Sequence, residues 1–126
     1  MIDHTGINVS NVEKSKDFYS TVLSSLHYEV RLSLGSAYGF GAKVAKNGDD
    51  PGGDFWISQG TPHTPRNHIA FRAGSTEEVE LFYKAAIAAG ALPNGEPGYR
   101  PHYHQHYYAA YVLDPDGYNI EAVYHG

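Results

Sequence analysis

The second half of this 126-residue chain repeats the plan of the first half. Each half opens with a short alternating run, at residues 2–9 and 67–73, of the kind that forms a half-buried strand. A serine followed three residues later by a glutamate comes next, at residues 10–13 and 75–78. This spacing is typical of the capping box that begins an α-helix. The repeat therefore predicts two copies of one supersecondary unit.

An apolar stripe at helical spacing follows each capping box. The first helix is predicted to run to about residue 26, and Gly90 is expected to end the second. Short β runs separated by turn residues follow each helix, because glycine and proline punctuate them. These runs lie at 28–34, 37–41 and 54–58 in the first half, and near 91–93, at 107–113 and at 118–124 in the second.

This order of elements predicts an α+β fold. Residues 1–126 are expected to form one domain of two βαβββ modules, the first at about 1–60 and the second at about 66–126. The strands are expected to form a mixed sheet with the helices on its outer face, because both predicted helices carry one apolar stripe.

Composition excludes several function classes. The net charge is −5 and no basic run exists, so the chain has no electrostatic drive toward nucleic acid. No apolar stretch approaches the roughly 18 residues of a membrane span, and no signal peptide is visible. The absence of cysteine excludes disulfides and thiolate chemistry. We therefore expect a cytoplasmic protein with neither a nucleic-acid nor a membrane partner.

Equivalent positions of the two repeats collect metal-ligating side chains. His4 and His68 both lie on an opening strand, six and seven residues before their capping boxes. Glu121 follows His68 by 53 residues, and its first-half equivalent is Trp56 once the extra residue at 74 is allowed for. Two imidazoles and one carboxylate form a facial triad that leaves coordination positions open.

A carboxylate at Glu121 stands among apolar residues of a strand, where it is unfavourable unless paired or metal-bound. We therefore predict one divalent metal ion on His4, His68 and Glu121. The alternative is that all three are satisfied residues of the core.

Three further histidines alternate at His102, His104 and His106. If this segment is extended, all three share one face. We expect His102 or His104 to lie near the metal and to move a proton, and Tyr111 to point inward and hydrogen-bond the substrate. A solvated polar loop is an equally good interpretation of the three histidines.

The predicted substrate pocket consists of four aromatic residues and one arginine, and its shape is expected to depend on the loops at 43–54 and 95–106. Trp56 is expected either to fill the floor of the site or to stack on an aromatic substrate. Arg66 would contact an acidic substrate, although an arginine at a strand end is usually a surface charge. The remaining predicted pocket residues are Tyr38, Phe40 and Tyr107.

The chain resembles the vicinal oxygen chelate superfamily, also called the glyoxalase / bleomycin resistance / dioxygenase family. The likeness lies in residues 3–4 (Asp-His), 17–19 (Asp-Phe-Tyr), 67–71 (Asn-His-Ile-Ala-Phe) and 114–121 (Asp-Pro-Asp-Gly-Tyr-Asn-Ile-Glu). Together these motifs span nearly the whole chain, from residue 3 to residue 121. The resemblance implies that the two modules form a cup, commonly in a homodimer, with a divalent metal chelated by vicinal oxygens of a small-molecule substrate.

Under this resemblance, His4, His68 and Glu121 fall on the ligand positions of the family. It implies a metal-dependent enzyme of lyase or isomerase type that acts by Lewis-acid chelation, with Zn, Ni, Mn and Fe not distinguished. Trp56 stands where glyoxalase I carries a glutamate, which argues against glyoxalase I activity. A three-ligand site is closer to the fosfomycin-resistance transferases or the extradiol dioxygenases. The alternatives are an Fe(II) ring-cleaving dioxygenase and a drug-sequestering binding protein.

Overall fold

A computed structural model describes all residues, 1–126, as two successive βαβββ modules. This confirms the predicted α+β fold. Neither helix is long and apolar enough to cross a membrane. The first module consists of β1 (Thr5–Val9), α1 (Val12–Ser24), β2 (Tyr28–Ser33), β3 (Ala37–Ala42) and β4 (Phe55–Gln59). The second consists of β5 (His68–Arg72), α2 (Thr76–Ala88), β6 (Leu92–Tyr99), β7 (Tyr108–Leu113) and β8 (Asn119–Tyr124).

The eight strands form two four-stranded sheets, in the orders β1-β4-β3-β2 and β5-β8-β7-β6. In each sheet the opening strand pairs in parallel with the closing strand, and the other neighbours are antiparallel. Gly6, two residues after His4, lies opposite Trp56 in β4. Ala70, two residues after His68, lies opposite Glu121 in β8. The equivalence of Trp56 and Glu121 that the repeat predicts is therefore confirmed by the strand register.

One apolar core joins the two modules. Helices α1 and α2 each pack on one face of their own sheet and also contact each other. Phe71 of β5 meets Phe55 of β4 edge-to-face, with ring centroids 5.1 Å apart, and meets Tyr28 in the same way at 6.0 Å. The modules therefore contact each other through their helix-facing sides. The opposite side of each sheet, here called its open face, lies outside this core.

Helix α2 begins as predicted. The hydroxyl oxygen of Ser75 accepts a hydrogen bond from the amide of Glu78, at 3.2 Å. The carboxylate of Glu78 reaches back, but it accepts from the amide of Gly74 and not from that of Ser75. Gly90 follows the helix with a φ of 98°, in the left-handed region that favours glycine.

Helix α1 begins one residue later than the sequence predicts. Its N-cap is Asn11, whose side-chain oxygen accepts from the amide of Lys14 at 3.1 Å. Ser10 is bonded elsewhere, because both its amide and its hydroxyl donate to the carboxylate of Asp116 in the second module. A long-range partner has therefore displaced the predicted local capping box.

The turn between β7 and β8 is a polar contact between the modules. The carboxylate of Asp114 is buried and accepts from the amides of Asp116 and Tyr118, each at 2.9 Å. It also accepts from the hydroxyl of Tyr19 on α1. Gly117 takes a φ of 88°, which a side chain would disfavour. The tight turn that the sequence predicts thus also binds the first helix.

Strand β6 is longer than the weak strand predicted near residues 91–93. It pairs with β7 through two irregular steps, between Pro93 and Gly95 and between Gly95 and Gly98. Proline and glycine lower strand propensity, which is why the sequence pattern does not reveal the strand. Bulges accommodate these residues and let the pairing continue to Tyr99.

Candidate functional site

His68 and Glu121 meet on the open face of the second sheet. Nε2 of His68 lies 2.9 Å from Oε1 of Glu121. The side chain of Glu121 is 2% exposed, whereas that of His68 is 46% exposed. A nearly buried carboxylate therefore adjoins an imidazole that solvent and small molecules can reach.

The other ring nitrogen of His68 determines what Nε2 can do. Nδ1 lies 2.9 Å from the backbone carbonyl oxygen of Asn119. A carbonyl only accepts, so Nδ1 carries a proton and Nε2 of the neutral ring holds a lone pair. That lone pair faces the carboxylate of Glu121, and the two repel unless a proton or a cation lies between them. The two facing atoms therefore either share a proton or bind a cation between them.

Two tyrosines surround Glu121. The hydroxyl of Tyr107 donates to Oε2, the carboxylate oxygen that does not face His68. Tyr111 lies opposite Glu121 in the register of β7 and β8, and its ring centroid is 6.2 Å from that of His68. Burial raises the pKa of Tyr107, and it raises the pKa of Tyr111 to about 12 with a further contribution from the charge of Glu121. Both phenols are therefore neutral hydrogen-bond donors at neutral pH.

The structure does not bring His4 to His68 and Glu121. The only group of three histidine or carboxylate ligand atoms that all lie within 4.8 Å of one another consists of Asp3, His4 and Asp50. The imidazole of His4 is 56% exposed, and a hydrogen bond from its Nδ1 to Asp3, at 2.6 Å, raises the pKa of His4. The predicted three-ligand site is therefore not assembled within one chain, because the modules meet through their helix-facing sides.

Trp56 occupies the equivalent of the Glu121 position on the open face of the first sheet. Its indole lies over Gly39 of the neighbouring strand and against Gly52 of the β3–β4 loop. A Cβ atom at Gly39 would lie 2.6 Å from the indole and 2.1 Å from the carbonyl oxygen of Gly52. These glycines therefore provide the space in which a large ring lies flat on the sheet.

Two of the predicted pocket residues, Tyr38 and Phe40, lie on the helix-facing side of β3. They alternate with Gly39, which lies opposite Trp56 on the open face. Phe40 is fully buried among aromatic residues of the core, and the hydroxyl of Tyr38 donates to Glu13 of α1. Neither side chain lies on an open face, because strand alternation directs both toward the helix-facing side of the first sheet.

Arg66, another predicted pocket residue, binds the backbone at the junction of the modules. Its Nε donates to the carbonyl oxygen of Asp116 at 2.7 Å, and Nη1 donates to that of His63 at 2.8 Å. Its guanidinium also lies 5.8 Å from the centroid of the Tyr118 ring. These contacts give Arg66 a structural place between the linker and the β7–β8 turn.

The segment with alternating histidines is a loop of turns at 101–106, so its three histidines do not share one face as an extended strand would require. The ring of His102 lies tilted against that of Tyr103, with centroids 4.2 Å apart. Nε2 of His104 lies 2.9 Å from Nδ1 of His125, beyond the end of β8. His104 adjoins Tyr107 directly, at 5.4 Å between ring centroids, whereas His102 adjoins it only through Tyr103.

The match to known proteins covers almost the whole chain. Residues 1–122 match the model of the Glyoxalase/Bleomycin resistance protein/Dioxygenase superfamily. The chain belongs to this superfamily. A comparison with curated proteins finds no match to the chain.

Solved structures of superfamily proteins share the fold. A glyoxalase/bleomycin resistance protein from Albidiferax ferrireducens T118 is 28% identical, with a TM-score of 0.78 and 98% of each chain covered. An enzyme of the glyoxalase/bleomycin resistance protein/dioxygenase family from Burkholderia phytofirmans PsJN is 17% identical, with a TM-score of 0.73 over 99% of this chain and 98% of that chain. A glyoxalase-related enzyme from Fulvimarina pelagi is 18% identical, with a TM-score of 0.71 over 98% and 87%. At these identities the last two show likeness of fold alone.

The donor set on the second sheet fits part of a divalent metal site of the kind that the superfamily implies. One imidazole nitrogen and one carboxylate oxygen converge, and both are ligand atoms that divalent transition metals accept. The outer atoms of both ligands are held, Nδ1 of His68 by Asn119 and Oε2 of Glu121 by Tyr107. Such outer contacts orient ligands and fix the imidazole tautomer.

Proposed function

We propose that this protein is a metal-dependent enzyme of lyase or isomerase type that acts on a small, oxygen-rich substrate. The observation that carries the proposal is the His68–Glu121 pair, whose facing atoms lie 2.9 Å apart and whose outer atoms are both held. A divalent ion bound by Nε2 of His68 and Oε1 of Glu121 would act as a Lewis acid on a substrate oxygen.

The surrounding residues would bind and orient the substrate. Tyr111 is a neutral phenol beside His68, so it can donate a hydrogen bond to a substrate oxygen. The hydroxyl of Tyr107 donates a hydrogen bond to Oε2 of Glu121, and Oε1 is the oxygen that faces His68. This arrangement favours binding of a metal by a single carboxylate oxygen.

A homodimer would complete the ligand set, with His4 of a second copy joining His68 and Glu121. Each open face carries only part of the predicted triad, and the chain buries the opposite sides of both sheets in its own core. His4 is half exposed and therefore accessible to another molecule. Trp56 stands where a fourth ligand would be, so we propose a three-ligand site and do not propose glyoxalase I activity.

Elemental analysis of protein purified without chelator tests the metal site. We expect stoichiometric divalent metal in the wild-type protein and its loss in His68→Ala and Glu121→Gln. His102→Ala is the matched control, because it removes an exposed imidazole of the nearby loop and should leave the metal content unchanged.

Other outcomes would favour the alternative functions. Wild-type protein that cannot be loaded with Zn, Ni, Mn or Fe would contradict the enzyme proposal and favour a drug-sequestering protein. Iron that is retained only without oxygen would favour a ring-cleaving dioxygenase over a lyase or isomerase.

Mixed dimers test where His4 acts. A dimer formed from one His4→Ala chain and one Glu121→Ala chain, isolated through two different affinity tags, keeps one intact site only if the ligands come from different chains. We expect such a dimer to bind half as much metal as the wild type. If the three ligands came from one chain, both sites would be broken and the mixed dimer would be metal-free.

A further inference from the structure

One arginine lies beside the His68–Glu121 pair on the open face of the second sheet. The guanidinium of Arg100 is 5.4 Å from the centroid of the Tyr111 ring. The same ring lies 6.2 Å, between centroids, from the imidazole of His68. Tyr111 therefore lies next to both the guanidinium of Arg100 and the imidazole of His68.

Arg100 has no acidic partner. None of the ion pairs of the chain includes it. Its Nη2 donates to the carbonyl oxygen of Glu96 at 2.7 Å, and this is the only hydrogen bond that its guanidinium makes. The residue is half-buried. A guanidinium in this position presents unused N–H donors in the planar fork that carboxylate and phosphate groups match.

The irregular course of β6 holds this guanidinium in place. A Cβ atom at Gly98 would lie 3.0 Å from Nη1 of Arg100, and one at Gly95 would lie 3.3 Å from Nη2. Gly95 has a φ of 147°, so the bulged backbone itself favours glycine there. The amide of Arg100 is bonded to the carbonyl oxygen of Tyr107 at 2.7 Å. The bulges thus direct one side chain across the open face, which is a known use of bulges near functional sites.

We infer that Arg100 is a substrate-recognition residue and that the substrate carries an oxyanion, a carboxylate or a phosphate, besides the oxygen atoms that approach His68 and Glu121. This inference rests on the proposed function. The chain as a whole has a net charge of −5, so its overall field repels anions and an anionic ligand needs a local cation. Arg100 supplies that cation, and Tyr111 supplies an aromatic surface beneath it.

Calorimetric titration with malonate and with inorganic phosphate, on both metal-loaded and metal-free protein, tests this role. We expect Arg100→Gln to weaken binding of the preferred anion by about tenfold or more, since charge-assisted hydrogen bonds are lost. Arg100→Lys keeps the charge but not the fork, so we expect an intermediate loss. Whichever of malonate and phosphate binds the wild type more tightly identifies the oxyanion as carboxylate or phosphate.

Two controls separate recognition from a structural role. Arg72→Gln removes the same charge from an exposed position on β5 of the same sheet and should leave binding unchanged within about twofold. Malonamide, the neutral counterpart of malonate, should not bind. Thermal unfolding of Arg100→Gln shows whether the variant is folded, and Arg100→Lys replaces it if it is not.

Equal affinity of wild type and Arg100→Gln for both anions would overturn the inference, even if the protein binds metal. A loss as large in Arg72→Gln as in Arg100→Gln would also overturn it, because it would show an effect of net charge alone. Failure of the proposed function is separate: it would appear as absence of metal, while the metal-free titrations still report on Arg100.

Discussion

The open faces of the two modules share one backbone plan and carry different chemistry. On the second face, Glu121 lies opposite Tyr111, and on the first face the equivalent pair is Trp56 opposite Gly39. A small ligating side chain is thus paired with a large neighbour, and a large apolar side chain is paired with no side chain at all. The same register of strands therefore holds a ligating side chain in one module and an aromatic side chain in the other.

The largest effect should come from adding volume to the first face. Gly39→Ala places a methyl group 2.1 Å from a backbone oxygen and 2.6 Å from the indole of Trp56. We expect it to lower the free energy of unfolding by about 3 kcal/mol, measured by urea denaturation. Gly6→Ala is the control on the same face, because its Cβ atom would lie 3.3 Å from the nearest atoms and should cost less than about 1 kcal/mol. Equal losses of stability in the two variants would show that Gly39 is not needed to make room for Trp56.

A smaller effect should come from the hydrogen bond that holds Glu121 on the second face. Tyr107→Phe removes the hydroxyl that holds Oε2 of Glu121 and leaves both proposed ligands in place. We expect metal affinity to fall by about tenfold, measured by competition with a chelating dye, as for other groups that orient ligands. Tyr108→Phe removes a neighbouring hydroxyl that bonds Glu80 on the helix side, and should leave affinity unchanged. If both variants bind metal like the wild type, Tyr107 does not orient Glu121.

The core behind the two faces should respond to alkaline pH. Tyr19 is fully buried, and burial together with the neighbouring charge of Asp114 raises its pKa well above 10. In the unfolded chain Tyr19 ionises near pH 10, so above that pH the unfolded state binds fewer protons than the folded state. The stability that Tyr19 contributes is present below pH 10 and falls as pH rises, by about 1.4 kcal/mol per pH unit. Urea denaturation at several pH values gives the free energy of unfolding as a function of pH. Above pH 10 this free energy should fall less steeply in Tyr19→Phe than in the wild type, and an equally steep fall would contradict this assignment.

The smallest effect should come from the predicted proton carrier that the structure leaves outside the site. His102 is exposed and its ring lies tilted against that of Tyr103, so His102→Ala should change the free energy of unfolding by less than about 0.5 kcal/mol. Metal affinity should also remain within about twofold of the wild-type value. A larger change in affinity would show that His102, like Tyr107, contributes to metal binding.

The sequence predicts those features of the fold that depend on local pattern and on the repeat. The spacing of the two halves identifies Trp56 as the counterpart of Glu121, and the register of both sheets agrees. The Asp-Pro-Asp-Gly turn at 114–117 is equally visible, because each of its residues favours a turn for its own reason.

The remaining features depend on partners that are distant in the sequence. Ser10 loses its capping role to Asp116, which lies 106 residues away, and no local pattern contains that information. The separation of His4 from His68 follows from which sides of the sheets meet, and this is a property of tertiary packing. Arg100 is directed onto the open face only by the bulges of β6, which glycine and proline conceal from a strand pattern.

The bonds between Ser10 and Asp116 have a consequence for synthesis of the chain. During translation, Ser10 leaves the ribosome long before residue 116 is made, so the start of α1 lacks these hydrogen bonds until the last strand is being added. The hydroxyl of Tyr118 reaches the carbonyl oxygen of Asn8 across a similar separation of 110 residues. Contacts of such long range slow folding, because a large loop must close before they form. A chain truncated before residue 114 would lack these contacts and would leave apolar residues of the first module uncovered, which favours aggregation.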